Sequence, residues 1–400
     1  MPTPPVNLPA LRLKRGEERR LKAGHLWVFS NEVDNRATPL RAFEAGEPVR
    51  IETSSGRFLA YGYVNPNSLI CARIMSRDER HPATASLLVH RLNVALSLRR
   101  RAYEENCYRL VYADSDLLPG LIVDRYDDFL VAQLTTAGME AMKPQIVEAL
   151  TKVIKPAGVL LKNDTAIRTR EGLNLYVEVV HGDVPAEAHV VENGVSFRVP
   201  LAGGQKTGWY FDQRDNRDRL KRYVTGARVL DVFSYVGAWG LMAARHGGLD
   251  VCCVDSSAPA LEILHANAAV NHLDVEAAHG DAFVVMTGYK DQGRRFDLII
   301  LDPPAFIKRR KDLERGKAAY RRLNQLAMQL LENDAILISC SCSHHLAEAD
   351  LAAEIQKAAR HVGCHVQILE RGGQAADHPV HPAIPETRYL KALFCRVVRT

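Results

Sequence analysis

Beyond about residue 186, short apolar runs alternate with segments whose apolar positions recur every three or four residues. "ARVLDVF", "DVCCVD", "FDLIILD" and "AILISCS" are nearly unbroken apolar runs, the pattern of strands buried on both faces. "GAWGLMAARHG", "APALEILHANAAVNH" and the stretch through "QLAMQLL" carry helical spacing between them. With "VEAAHGD", "HVQILE" and "YLKALFCRVV" the strands reach seven, which predicts an α/β domain with a parallel, doubly wound sheet. A Pro-rich loop, not a helix, precedes the last strand, so that strand is expected to run antiparallel.

The preceding residues have another rhythm. Residues 1–78 hold "HLWVFS", "EPVRIET", "FLAYGYV" and "SLICARIM", separated by Gly, Pro, Asn and Ser, which predicts a small β-rich domain. Before them, "LRLKRGEERRLKAG" has helical spacing. Residues 79–185 mix a helix, "ASLLVHRLNVALSLRRRAYEE", with strands "LPGLIVDRYDDFLVAQL", "GVLLKND" and "LYVEVV", an α+β pattern with no cofactor fingerprint. The expected domains are therefore 1–78, 79–185 and 186–400, in keeping with a chain too long for one average core.

Composition narrows the class. No run of about 18 apolar residues predicts a membrane span, and the start "MPTPPVNLPALRLKRG" lacks the apolar core of a leader. Eight scattered cysteines include no CxxC pair, which argues against a zinc ribbon or disulfide scaffold and for a reducing, cytosolic setting. The net charge of +5 is uneven: Lys308–Arg322, "KRRKDLERGKAAYRR", holds eight basic and two acidic residues. A basic run alone reads as a solvated face. Directly after "LDPPAF", it suits a polyanionic substrate.

Ligands of doubly wound sheets sit beyond the carboxyl ends of the strands. Here those ends read "LDVFSYVGAWG", "CCVDSS", "HGDAF", "LDPPAF" and "SCSCSHH". Asp231 ends the first, and Phe233, Gly237 and Gly240 shape a tight turn after it. Tyr235 stands where a GxGxxG loop needs its first glycine, so pyrophosphate binding is disfavoured. S-adenosylmethionine has no phosphate and tolerates such a turn. Asp255, 24 residues beyond Asp231, is placed to accept both ribose hydroxyls, and Asp281 to reach the adenine amine. Taken singly, each Asp reads equally as a helix N-cap.

"LDPPAF" carries the chemistry. Asp302 can accept from an amine or ring nitrogen, Pro303 and Pro304 stiffen the loop, and Phe306 is suited to stack on a planar base. By itself the loop suggests nitrogen methylation. "ISCSCSHH" ends the neighbouring strand and places Cys340 and Cys342 on one face, Cys342 nearer the tip. Carbon 5 of cytosine is a poor nucleophile, and a thiolate adding at carbon 6 makes it enamine-like. Free Cys is only a few per cent thiolate at neutral pH, a share that a helix start or a protonated His344 would raise. Metal binding by Cys340, Cys342, His344 and His345 fits no usual zinc spacing. Cys340, Cys252 and Cys253 read as packing, and His344 and His345 as a polar helix start.

"GQKTGWYFDQRDNR", "VLDVFSYVGAWG", "LDPPAF", "SCS" and "QAADHP" occur in the order seen in the bacterial RlmI (YccW) type of 23S ribosomal RNA cytosine-5 methyltransferase, which this chain resembles along its whole length. "LKRGEERRLKAGHLWVFSNEV" resembles the start of a PUA domain. The resemblance implies an N-terminal PUA domain and a C-terminal S-adenosylmethionine-dependent methyltransferase domain. It implies Cys342 as nucleophile and methyl transfer to a cytosine of large-subunit rRNA, with Cys340 a rival on sequence alone. "DPPAF" lacks the second cysteine that many RNA cytosine methyltransferases carry there. It also implies a cofactor-side wall from Lys206, Tyr210 and Asp212–Arg214, including Gln213. Pro304, Phe306, Lys308, Arg309 and Arg310, with Lys14, Arg15, Arg19 and Arg20, are the expected RNA contacts. An exposed edge strand would allow a homodimer. Two other readings stand beside this one: an amino-group methyltransferase that uses the "DPPAF" loop without a nucleophile, and a non-catalytic RNA-binding assembly factor.

Overall fold

The computed structural model describes residues 8–204 and 206–399. The leader reading falls partly on residues 1–7, and Gln205 of "GQKTGWYF" also lies outside the described residues. The chain forms two compact units. The first runs to Ala188 and adds Pro200–Trp209 and Ala376–Thr387; the second comprises His189–Val199, Tyr210–Ala375 and Arg388 onward.

The first unit carries two sheets. Strands β1 (Ala10–Arg12), β2 (Trp27–Phe29), β3 (Pro48–Glu52), β4 (Phe58–Val64) and β5 (Ile70–Ser76) pair in the order β1-β3-β4-β5-β2. Helical spacing over "LRLKRGEERRLKAG" is corrected here. Leu11 and Leu13 are fully buried on one face of a strand that pairs with Arg50–Glu52, and only α1 (Glu18–Lys22) is helical. The alternation Leu-Arg-Leu is itself a strand signal, and Gly16, at φ +91°, breaks the segment.

After α2 (Ala85–Ala102), strands β6 (Cys107–Tyr112), β7 (Leu121–Tyr126), β8 (Phe129–Leu134), β9 (Gly158–Asn163) and β10 (Tyr176–Gly182) form the second sheet in linear order. Helices α3 (Ala137–Ala141), α4 (Lys143–Ile154) and α5 (Ile167–Arg170) connect them. Buried Leu88, Leu92 and Leu96 of α2 and Ile146, Ala149 and Leu150 of α4 pack on this sheet in one core.

The second unit begins with a hairpin, β11 (Glu187–Glu192) and β12 (Val195–Pro200), whose first two residues belong to the other unit, and α6 (Arg214–Arg219). Then β13 (Arg228–Val232), α7 (Ala238–Arg245), β14 (Asp250–Asp255), α8 (Ala258–Val270), β15 (Glu276–His279), α9 (Ala282–Asp291) and β16 (Phe296–Leu301) alternate. They are followed by α10 (Leu313–Leu330), β17 (Leu331–Ser341), α11 (Glu348–His361), β18 (Cys364–Gly372) and β19 (Lys391–Arg399). The seven-stranded sheet has the order β15-β14-β13-β16-β17-β19-β18. The last strand is antiparallel to both neighbours, as its helix-free connection predicts.

Period-2 alternation sorts the strand residues between two helical layers. Leu230, Val232, Cys252, Val254, Ile299 and Leu301 share a core with Met286 of α9, Leu323 and Met328 of α10 and Ile355 of α11. Asp231 and Cys253 face the other way, against Gly240 of α7. Strand order reverses between β13 and β16, so the crevice expected of a doubly wound sheet opens at Val232 and Leu301. Among the described residues no helix is long and apolar enough to cross a membrane.

Candidate active site

The turn after β13 alternates left-handed residues: Phe233 at φ +69°, Tyr235 at +52° and Gly237 at +91°. Two of the three are bulky, and such conformations cost free energy that surrounding structure must hold in place. Here Phe233 and Ser234 both donate their N–H to the Val254 carbonyl, and Tyr235 N–H donates to Asp255 Oδ2 at 2.9 Å. Asp255 Oδ1 also accepts from Ser257 N at 2.9 Å. A carboxylate offers about four lone pairs, so acceptor capacity for two ribose hydroxyls is left over.

Asp231 is fully buried, and its Oδ2 accepts from Gly240 N–H at 2.9 Å. Its other oxygen has no hydrogen-bond partner among the described residues. Burial pushes this carboxyl up to about 8; the Gly240 N–H opposes the rise, and Asp302 and Asp255 add to it. A buried acceptor left over at the mouth of a parallel sheet is a group that a donor on a ligand would satisfy.

A Cβ at Gly240 would land on the Cys253 sulfur. Gly240→Ala is therefore expected to lower stability by about 1–3 kcal/mol through overpacking and to weaken S-adenosylmethionine binding. Gly288→Ala is the control: that glycine lies in α9 with open space around it, and alanine there should stabilise by up to about 1 kcal/mol. Urea midpoints and calorimetric titration check both. Equal stability of the two variants would sink this account of the turn.

Asp302 ends β16 half-buried, and its Oδ2 accepts from Gln213 Nε2 at 2.9 Å and Trp239 Nε1 at 3.2 Å. Desolvation pushes this carboxyl up to about 6, with the Trp239 hydrogen bond opposing. Gln213 is itself fixed by Asn216, which donates to its Oε1 at 2.7 Å. The segment is anchored by a buried pair: Arg217 meets Glu192 at 2.5 and 2.8 Å and donates to the Tyr210 carbonyl. Removing Glu192 would strip the buried Arg217 of its carboxylate, at a cost of about 3–5 kcal/mol, whereas removing Arg217 would leave Glu192 with Arg214 at 3.7 Å. Tyr210 stands edge-on to Tyr235, with ring centroids 5.7 Å apart. Burial raises its phenol, and Asp302 and Cys342 add to the rise, so these three groups share one field.

Of the eight cysteines, Cys342 alone is not buried. Its sulfur lies 3.9 Å from the Pro303 carbonyl oxygen. Cys340 is fully buried, and burial holds its thiol well above the usual range, with Asp302 adding. The two serines beside Cys342 do structural service. Ser341 Oγ donates to Tyr320 Oη at 2.8 Å, and Ser343 Oγ lies 3.0 Å from that phenol and accepts Ile307 N–H at 3.3 Å. One buried tyrosine on α10 thus ties the Cys342 segment to the Asp302 loop.

The other expected residues fall in several places. Asp281 is exposed, and its Oδ1 caps α9 through Phe283 and Val284 N–H. Pro303 is buried and Pro304 exposed. Phe306 is half-buried against Tyr320, with centroids 4.8 Å apart. Lys308, Arg309 and Arg310 are exposed. His344 and His345 lie in a turn, and α11 starts only at Glu348, because Leu346 first drops into the core. In the first unit Lys14, Arg15 and Arg19 are exposed, whereas the Arg20 guanidinium is engaged by Glu32 at 2.7 and 2.8 Å. Lys206 belongs to the first unit as well. Among the described residues no cluster of His, Cys, Asp and Glu is placed to hold a metal. Sequence reading missed Trp239, Tyr320 and Lys391. Lys391, buried, donates to the Ser343 and Tyr389 carbonyls at 2.6 Å each.

Comparison with known proteins cuts across the two units, since the second family match begins inside the first unit. Residues 11–77 match a PUA-like domain, and residues 146–396 match the S-adenosylmethionine-dependent methyltransferase family. The ribosomal RNA large subunit methyltransferase I of Aliivibrio fischeri is 39% identical over 97% of this chain and 99% of its own. The protein of the same name from Vibrio cholerae is 38% identical over 98% of this chain and all of its own. Among solved structures, SMU.776, assigned as a methyltransferase and complexed with SAH, superposes with a TM-score of 0.83 over 97% of this chain and all of that one. At 21% identity that likeness shows the fold. The cofactor of this chain is S-adenosylmethionine, and the turn after β13 with Asp231 and Asp255 fits it. The chain belongs to the ribosomal RNA large subunit methyltransferase I family of S-adenosylmethionine-dependent methyltransferases.

Proposed function

We propose that this protein methylates carbon 5 of one cytosine in 23S ribosomal RNA through a covalent adduct at Cys342, in the cytoplasm. The observation that carries the reading is the pairing, at adjacent strand ends, of a half-exposed thiol with a carboxyl pushed up to about 6. The names of the relatives support the substrate.

Bound S-adenosylmethionine supplies an electrophilic methyl group. Phe233, Gly237, Asp231, Asp255 and Asp281, with Tyr210, Gln213 and Pro303, would hold it at the strand ends. Cys342 Sγ adds to carbon 6 of the base, the ring electron pair moves toward carbon 5, and Asp302 gives its proton to N3. Carbon 5 then takes the methyl group. Solvent water takes the carbon 5 proton, and the electron pair left behind restores the double bond, breaks the sulfur–carbon bond and frees the thiolate; the N3 proton returns to Asp302. A thiolate is needed because the thiol is a weak nucleophile.

Three exposed cations of the PUA-like domain, Lys14, Arg15 and Arg19, and the exposed Lys308, Arg309 and Arg310 would meet phosphates. Arg20 would act mainly by holding Glu32. Pro304 and Phe306 would border a base drawn out of its stack, which favours naked or partly assembled RNA. The domain limits 1–78, 79–185 and 186–400 are proposed with this division of labour. The test is methylation of naked 23S rRNA with labelled S-adenosylmethionine, followed by nucleoside mass analysis. 5-Methylcytosine is expected. N4-methylcytosine or another amino-methylated nucleoside would hand the site to the amino-group reading, with Cys342 as packing.

A further inference from the structure

Lys391 opens β19 directly across from Ser341, the last residue of β17 before Cys342. Its side chain is 5% exposed, and the ammonium reaches the carbonyl of Ser343, the residue just after Cys342, at 2.6 Å. Its other hydrogen bond runs to the Tyr389 carbonyl at the same distance. Both partners are neutral, and among the described residues no carboxylate lies within ion-pair distance of it. A buried cation without a paired anion is costly. Burial accordingly lowers this ammonium to about 8, and the first influence that opposes the fall is Cys342.

We propose that Lys391 is a positioning residue whose ammonium is the counter-ion of an ionised Cys342 and whose hydrogen bond to the Ser343 carbonyl fixes the segment that carries the sulfur. Its part in methyl transfer rests on the function proposed above; the pairing of charge with thiol does not. The thiol proton leaves to solvent, since Cys342 is half-exposed, and Lys391 keeps its own proton.

Several other groups bear on this pair. Tyr210, Tyr320 of α10 and the buried thiol of Cys340 share the field of Cys342. Asp302 sits one residue before Pro303, whose carbonyl meets the sulfur. Around Lys391 stand Arg388, which opposes its charge, and Glu348, which favours it. Of these groups, Lys391 is the cation that reaches the backbone next to the sulfur.

The experiment reads alkylation of Cys342 by iodoacetamide as a function of pH, on the whole chain without RNA, by peptide mass spectrometry. The seven other cysteines are buried, and Cys342→Ala gives the background. The wild-type midpoint is expected below the roughly 8.5 of free cysteine. Lys391→Met is expected to raise the midpoint by about one unit, so that alkylation at pH 7 slows about tenfold. Lys391→Arg should restore most of the rate. In methylation, Lys391→Met should lower kcat about tenfold with an unchanged KM for S-adenosylmethionine. Equal midpoints for wild type and Lys391→Met would overturn the proposal even if both lose activity, because a purely structural lysine does not move the midpoint. If Lys391→Met does not fold, Lys391→Gln takes its place. If neither folds, a wild-type midpoint at or above that of free cysteine overturns the pairing. A shifted midpoint with no 5-methylcytosine from wild type would uphold the pairing and remove only its role in methyl transfer.

Discussion

Cys342→Ala is expected to lose 5-methylcytosine formation by at least about 10³-fold, while Cys340→Ala keeps activity within about tenfold. The asymmetry comes from burial. Cys340 has no exposed surface and its thiol is held protonated, whereas Cys342 is open to the crevice beside Pro303. A direct view of the adduct uses RNA carrying 5-fluorocytosine at the target. Fluorine cannot leave carbon 5 as the proton does, so the sulfur–carbon bond should stay closed and RNA should travel with the protein through denaturing electrophoresis. Wild type and Cys340→Ala should show the crosslink and Cys342→Ala should not. A crosslink that persists in Cys342→Ala would end the assignment.

Asp302→Asn is the second large effect, an expected loss of about 10²–10⁴-fold in kcat. The amide still reaches N3 of the base but has no proton to give. The pH dependence makes the test sharper. The active form holds one proton on the pair: carboxyl protonated, sulfur ionised. Both groups are protonated at low pH and both are bare at high pH. The wild-type kcat/KM profile should therefore rise through about 6, the position to which desolvation raises Asp302, and fall beyond the thiol. With Asn at 302 only the thiolate matters, and the profile should rise once, through the thiol, and then stay level. A bell retained in Asp302→Asn would exclude this carboxyl as the acid.

Much of this was legible in the chain. The inner parallel strands show because strands buried on both faces are almost pure apolar runs, and "DVCCVD" and "FDLIILD" can hardly be read otherwise. Asp231, Asp255 and Asp302 stand out as a set because each falls at the carboxyl end of an apolar run, although singly each reads equally as a cap. Asp281 does cap α9 through Oδ1, since capping and ligand binding call for one residue type at one place, and its cofactor role stays a proposal for the same carboxylate. Trp239, Tyr320 and Lys391 were hidden for a different reason. Trp239 and Tyr320 act from helices α7 and α10 on motifs carried by other elements, and only the pairing of β17 with β19 puts Lys391 beside the "SCS" segment. The first strand was misread because six of fourteen residues in "LRLKRGEERRLKAG" are Arg or Lys, four of them (Arg12, Arg15, Arg19 and Lys22) spaced three or four apart; buried Leu11 and Leu13 outweighed them.

The place of β19 has a consequence for synthesis. It is translated after both β17 and β18 yet lies between them. Until residues 391–399 leave the ribosome, β17 is an open apolar edge and β18 has nothing to pair with. Such an edge invites misassociation during translation. The lysine beside the thiol arrives with the same strand, so a nascent chain that already has every acidic strand end still lacks the finished crevice. The crevice of an enzyme directed at ribosomal RNA is thus complete only once the strand made after β18 has inserted between its two neighbours.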